Sequence, residues 1–443
     1  MVRFFVIIIF ISFVINAPAQ GLFDASTATT NRIGLNGYTR GAVWGLGEEY
    51  DYTSAFGEFC LQSSYSNQNV SMFADVRFRS GIFFNEHENA IEIKEAYANY
   101  RPGSFSFTLG QQIVNWGTTD GFNPTNNITP NNYFFLTANP DDQKIANFLL
   151  RSNWQISKKI SWESIAIPVY KASVYRYELF NFGSNATFGK AQKPDINYKN
   201  GTFATRLTFE LKGISFSTSW FNGYDPFYGF GIDNIEWTAM GPKVNYKASF
   251  YRKNTAGFDI EVPLKHIIFR SEVAANFIDE DKEQNYLPSD GISAVGAIEF
   301  PKGDFLLLLQ YIGSVTFNYA ELNKPIGGHD LPQPQQMQYA EELIRYETAQ
   351  FNRQIFHQQE KWNHALSLTA RQMLAYQTLE LEATGYYNIT SEEWMLRPSI
   401  SWKANHAIDL TIGAQLMNGE EGTVFYHASK IMNGVFVELK TVF

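Results

Sequence analysis

Ionic residues recur in this chain at alternate positions of strand-like runs. In VSMFADVRFRSGI, Asp75, Arg77 and Arg79 share one parity, and Val70, Met72, Ala74, Val76 and Phe78 share the other. GTFATRLTFEL sets Arg206 and Glu210 against Phe203, Leu207, Phe209 and Leu211, and TLELEATGYYN sets Glu380 and Glu382 against Leu379, Leu381 and Tyr387. Glu95, Arg151, Arg270 and Glu272 sit in similar runs. On a strand, residues two apart point to the same face, so each run carries one charged row and one apolar row. Opposed rows of Arg and Glu around an enclosed space orient polar solutes. The same rows can instead pair with one another and stiffen a wall, and both readings stand at this point. Arg77 and Arg79 lean the site towards anions unless Asp75 and Glu95 neutralise them.

Other chemistry is thinly represented. His364 and Ser367 are the nearest nucleophile–base pairing, but a spacing of three on a strand puts them on opposite faces. An enzyme is therefore not expected. His329 and His357 are too far apart to read as a metal motif, and neither metal nor cofactor is expected. The single cysteine, Cys60, can form no internal disulfide, and a net charge of -9 disfavours a nucleic-acid partner.

The rows need a frame to hold them. Residues 1–20 read as a secretory signal peptide: Arg3, an apolar run over Phe4–Ile15, then Ala17-Pro18-Ala19. Residues 21–443 form the mature unit. They contain no apolar run long enough for a membrane helix, and mean hydropathy is -0.24, yet 16% of residues are aromatic. Many alternating runs reach about ten residues, the length of a tilted membrane strand. Short connections (101–104, 212–213, 301–304) largely take turns with long ones (117–142, 176–198, 279–290, 318–361). The expected fold is all-β: one transmembrane antiparallel barrel of about eighteen strands, within sixteen to twenty, with short periplasmic turns and long extracellular loops. Of about twenty candidate strands, Asn234–Met240 and Gly257–Pro263 are the weakest, and dropping both keeps the number even.

GQQIVNWGTTDGFNPTNNITP then has a place. A strand over Phe105–Trp116 runs outward and delivers loop 117–142 at the barrel mouth. The loop carries Phe122, Pro124 and Pro130 at intervals, a composition of ordered rather than disordered chain. It is expected to fold into the lumen as a constriction built by Trp116, Gly117, Asp120, Asn123, Asn126 and Asn127. Gly117 supplies the positive φ that turns the chain inward, and Asp120 is expected to lie beside Arg77 and Arg79. Tyr224, Phe227, Tyr228 and Phe230 suit a sugar slide, an interfacial aromatic girdle or loop packing. Gln336–Gln354 has helical composition within the long loop.

IEIKEAYANYRPGSFSFTLGQQIVNWGTTDGFNPTNNITP resembles a hairpin of a porin-like outer-membrane barrel family known only as a domain of unknown function. Glu95, Ala96, Tyr97, Gly110, Gln111, Gln112, Trp116, Gly117, Asp120, Asn123 and Pro124 carry the resemblance, with Pro168 of SWESIAIPVY. Phosphate-selective and alginate-export porins look more distantly similar. Gln111 stands where that pattern usually has Arg, which counts against a charge-based anion site there. The terminal VFVELKTVF, ending on Phe443, resembles the signal by which such barrels are recognised for insertion. The resemblance implies an outer-membrane channel and little about its cargo; with the inward charged rows, the expected function is passive diffusion of small polar solutes. Its partners would be outer-membrane lipid and the barrel-assembly machinery, with homo-oligomerisation left open. The rival is an export or scaffold component serving a secreted polymer or partner protein.

Overall fold

A computed structural model describes residues 32–45, 53–180, 182, 185–279, 286–327 and 332–443. The signal-peptide expectation and His329 lie outside these residues. The strands are β1 (Arg32–Trp44), β2 (Ser54–Asn67), β3 (Val70–Phe83), β4 (Glu86–Tyr100), β5 (Phe105–Gln112), β6 (Asn147–Ser157), β7 (Ile160–Ile167), β8 (Ala186–Phe188), β9 (Thr202–Leu211), β10 (Ile214–Tyr224) and β11 (Gly229–Thr238). They continue with β12 (Gly241–Ser249), β13 (Arg252–Pro263), β14 (Ile268–Ile278), β15 (Gly291–Lys302), β16 (Phe305–Thr316), β17 (Trp362–Leu374), β18 (Leu379–Asn388), β19 (Glu393–Lys403), β20 (Ile408–Asn418) and β21 (Gly434–Val442). Two helices, α1 (Gln333–Ile355) and α2 (Val424–Met432), lie in the connections.

Eighteen of these strands form one antiparallel sheet, and β1 pairs with both β2 and β21, so the sheet closes on itself. Closure leaves no unpaired edge, the condition a bilayer imposes on β structure. The outer face carries Leu35, Phe78, Ile91, Leu109, Leu309, Leu366 and Ile412, all exposed. Aromatic residues concentrate towards its rims: Tyr100, Phe105, Trp154, Trp162 and Trp402 at one end, Phe277, Trp362, Tyr387 and Trp394 at the other. An apolar band flanked by aromatic girdles is the surface of a barrel solvated by lipid.

The ends differ. Eight turns of two to four residues close one end, from Gln68-Asn69 to Ala404–Ala407. The segments after β5, β7, β10, β16 and β20 crowd the other. The number of wall strands agrees with the alternation, but one of the two doubtful runs is assigned differently. Gly257–Pro263 belongs to wall strand β13. Pro263 ends that strand, where its missing N–H costs no ladder bond. Gly257 leaves room there for Ser219, whose Oγ would lie 2.3 Å from an added Cβ. Asn234–Met240 instead falls in the β11–β12 hairpin, part of a small three-stranded sheet with β8 outside the wall.

That small sheet, α1 and α2 cap the long-loop end over an aromatic cluster that includes Phe180, Phe182, Phe188, Phe230, Tyr246 and Phe351. α1 buries Thr348, Phe351, Asn352 and Ile355, the spacing of one helical face. Asn352 accepts from the Phe230 N–H (3.0 Å) and donates to the Phe230 carbonyl (2.6 Å). It thus satisfies an edge residue of β11 as a neighbouring strand would. Phe227, Tyr228 and Phe230 follow the loop-packing reading: Phe227 and Tyr228 pack against the cluster and Phe230 is buried in it, whereas Tyr224 ends wall strand β10 with its ring 5.4 Å from Tyr170.

Candidate functional site: the interior loop and its wall anchors

The strand predicted over Phe105–Trp116 stops at Gln112. The Ile113 N–H donates to the Glu95 carboxylate (2.8 Å) rather than continuing the ladder. A bulge in β4 makes this geometry, because the β3 register skips from Glu95 to Ile93 and leaves Lys94 unpaired. Lys94 and Glu95 thereby both reach the interior loop. Lys94 Nζ donates to the Asp142 carbonyl (2.6 Å) and to the Lys144 carbonyl. The loop inside the barrel thus spans 113–146, longer at both ends than the expected 117–142.

Its first anchor is apolar, then acidic. Trp116 is 2% exposed and packs in a cluster with Val114, Ile128, Leu149, Ile165 and Phe221. Its indole N–H donates to Glu163. Trp116 is therefore an internal anchor beneath the loop. Gly117 has φ +96°, and a Cβ there would meet Asn123 Oδ1 at 2.1 Å and Glu272 Oε1 at 2.4 Å. Only glycine fits that bend.

Glu272, on β14 and fully buried, receives the loop. Its Oε1 accepts from Thr118 N (2.6 Å), Thr119 N (2.7 Å) and Thr119 Oγ1 (2.7 Å). Its Oε2 accepts from Thr125 Oγ1 (2.8 Å) and Thr125 N (3.4 Å). Successive backbone N–H groups converging on one carboxylate form an anion nest, here filled by the wall's own side chain. Nearby, Gln310 of β16 donates to the Asp120 carbonyl (2.8 Å), and Phe122 stacks on Tyr386 of β18 at 5.0 Å.

The second anchor reverses the charges. Asp142, on the returning limb, accepts from Arg40 (2.6 Å) and Arg77 (2.9 Å) of the wall. Burial alone would raise the Asp142 pKa. The Arg40 and Arg77 guanidiniums outweigh it and hold the carboxyl down at about 2. Arg397 of β19 donates to the carbonyls of Thr137 (2.6 Å) and Ala138 (3.0 Å). Thr137 Oγ1 lies 3.4 Å from Glu438 of β21. The loop therefore touches the wall on opposite sides of the barrel.

The alternation-derived charges face inward, but mostly as pairs. Arg77 binds Asp75 (3.0 Å), and Arg79 binds Glu58 (2.7 Å) and Glu92 (3.0 Å). Arg151 binds Glu163, Arg206 binds Asp259 (3.0 Å), and Arg270 binds Glu261 (2.8 Å) and Glu299. Glu210 lies exposed near a short turn. On β18, Glu382 stands opposite Arg371 and Glu380 opposite Met373. Two placements need correction. Asp120 does not lie beside Arg77 and Arg79; its carboxylate is 3.9 Å from Arg270, and Asp142 occupies the position foreseen for it. Glu95 takes a backbone N–H rather than neutralising an arginine. The Asn residues serve the loop itself: Asn123 Oδ1 lies 3.2 Å from Thr125 Oγ1, Asn126 N donates to the Asn123 carbonyl (3.1 Å), and Asn127 Nδ2 donates to the Pro124 and Thr125 carbonyls (both 3.3 Å).

Lys94, Arg40, Glu58, Asp142, Arg397 and Glu438 escaped the sequence reading. For Lys94 a signal existed: Glu92 and Glu95 three apart, between outward Ile91 and Ile93 and inward Tyr97, demand an extra residue in the strand. His364 and Ser367 stand on opposite faces, with His364 Nδ1 2.7 Å from the Tyr311 hydroxyl on the outside and Ser367 buried inside.

No family model and no curated protein matches the chain. Solved structures do, at the level of fold. Pseudomonas aeruginosa OpdK with vanillate aligns at 6% identity and TM-score 0.53, over 93% of this chain and 98% of that one. Pseudomonas aeruginosa OccK5 (OpdH) aligns at 8% identity and TM-score 0.52, over 93% and 97%. Acinetobacter baumannii OccAB3 aligns at 10% identity and TM-score 0.51, over 93% and 99%. Together with the closed wall and its lipid-facing band, these define a transmembrane barrel of the porin fold.

Proposed function

We propose that this chain is an outer-membrane channel for passive diffusion of small polar or charged solutes, with loop 113–146 as its constriction. One observation carries the reading: a closed, lipid-faced barrel holds inside it a long loop, pinned to opposite walls by Glu272 and Asp142. A barrel of this size leaves a water-filled lumen, so the loop sets how much of it is open. The matched solved structures are outer-membrane porins, which supports the reading.

The finer readings belong to the same proposal. Residues 1–20 direct secretion, Phe443 is read by the barrel-assembly machinery, and the chain falls among the porin-like barrels that the 90–175 region resembles. Glu380, Glu382 and Arg371 are the inward charges through which permeating ions would be sorted. The folded, detergent-purified protein inserted into a planar bilayer should give discrete conductance steps. Folded protein that inserts and passes no current would overturn the channel reading and leave the scaffold alternative, which the layered aromatic cap over the long-loop end also suits.

A further inference from the structure

On the short-turn side of the loop, Ile113 overhangs a cavity of about 420 Å³ walled by β3, β4, β5 and β6. Small-molecule sites occupy roughly 300–1,000 Å³. Its lining has one aromatic ring, Tyr97, among amides and hydroxyls, with Asn99, Gln112 and Asn153 the largest of them.

Tyr97 is fixed as a platform. Across the strand pair it faces Gly110, whose φ is +136° and whose added Cβ would lie 2.7 Å from Tyr97 Cα and 2.2 Å from the Ala96 carbonyl. Glycine there lets the two backbones meet closely at Tyr97, and the Phe73 ring packs against the Tyr97 ring at 5.7 Å. Asn99 Nδ2 donates to Ser106 Oγ and Thr108 Oγ1, both at 2.7 Å, which fixes the amide plane.

Of the charged members of the lining, Arg101 stands exposed at the short-turn rim, and Arg151 and Glu95 are already committed. Arg151 gives Nε and Nη2 to Glu163, and Glu95 accepts the Ile113 N–H. Inside that rim the groups without a side-chain partner among the described residues are neutral and include the Asn153 amide, Asn99 Oδ1 and the Tyr97 hydroxyl. A ring face suits the C–H face of a sugar, and neutral amides and hydroxyls suit its hydroxyl groups.

We propose that this cavity is a subsite for a neutral polyhydroxylated solute of hexose size. Its place on a permeation route rests on the channel reading; its affinity does not. The test uses the full chain, folded in detergent, with glucose and mannitol as probes and gluconate and glucosamine as charged counterparts. Binding is read by saturation-transfer NMR and calorimetry, and current block is read in bilayers. Wild type should bind glucose or mannitol at least as well as the charged analogues. Tyr97→Ala and Asn153→Ala should each weaken binding roughly tenfold. A heat-modifiable gel shift checks that each variant folds. If Tyr97→Ala does not fold, Asn153→Ala, a truncation of a partly exposed side chain, decides.

Folded wild type that binds neither neutral probe overturns the inference, as does gluconate or glucosamine binding more tightly, or unchanged affinity in Asn153→Ala. A conducting channel without glucose affinity defeats this inference alone. Folded protein that binds glucose but passes no current defeats the channel reading alone.

Discussion

Glu272 and Asp142 hold the loop by opposite means, and substitution should separate them. Glu272 offers only acceptors to five converging donors, and an amide turns one of its oxygens into a donor facing them. Glu272→Gln should therefore loosen residues 118–125 at a cost of about 2–3 kcal/mol. Limited proteolysis within that stretch and a larger single-channel conductance check it. Asp142 is an anion among wall arginines, so its removal leaves Arg40 and Arg77 short of a counter-charge. Asp142→Asn should destabilise the seated loop by about 3–5 kcal/mol, the usual cost of breaking a buried pair. The wild type should behave likewise in acid. Since the folded pKa of Asp142 is depressed to about 2 from 3.8, its stabilisation is complete above the unfolded value and is lost as pH falls from about 4 towards 2. Conductance rising over that interval in wild type, and flat there in Asp142→Asn, is the expected outcome.

At the scale of elements, the loop and the bulge of β4 form one device. The bulge brings two consecutive charged residues inward, one for the outgoing limb and one for the returning limb. Removing the loop between Thr118 and Asn139 should raise conductance and weaken ion selectivity while the barrel still folds; unchanged conductance in a folded variant would place the loop off the permeation path. The sequence showed that this loop was long, ordered and turned inward at Gly117. It did not show what the loop would grip. Glu272 was legible as an inward charge, but its partners lie 147 to 154 positions away, a pairing that alternation cannot specify. Asp120 and Asp142 are both acidic residues of one loop, and only the path of the chain decides which of them meets Arg77.

For the whole molecule, the wall was the most legible part, because lipid outside and water inside force the same period of two on every strand. The α1–α2–β8–β11–β12 cap was less so: it packs by ordinary soluble-core rules inside loops, where no membrane imposes a period. The wall makes a direct prediction. Leu309→Arg puts a cation on the outer face and should cost about 2–4 kcal/mol near the bilayer midplane, whereas Thr208→Arg points inward and should fold normally. Refolding yields into lipid vesicles, read by gel shift, compare them. Deleting Phe443, whose backbone pairs with Gly37 in both directions (3.0 Å each) and whose ring stacks on Phe59 at 5.8 Å, should lower assembly in cells.

The loop's grip on distant strands also sets an order of events. Thr137 meets Glu438 across 301 positions of chain, and Thr119 meets Glu272 across 153. Such contacts pay their loop-closure entropy late. While β14 to β21 are still being added, the segment after β5 lacks Glu272 to receive Thr118, Thr119 and Thr125 and has only part of its arginine cradle. The wall can thus grow strand by strand as hairpins, but the obstruction inside it settles only when the last strand meets the first. The final step of maturation is then a narrowing: a wide, freshly closed cylinder becomes selective when its own β5–β6 loop finds the far side.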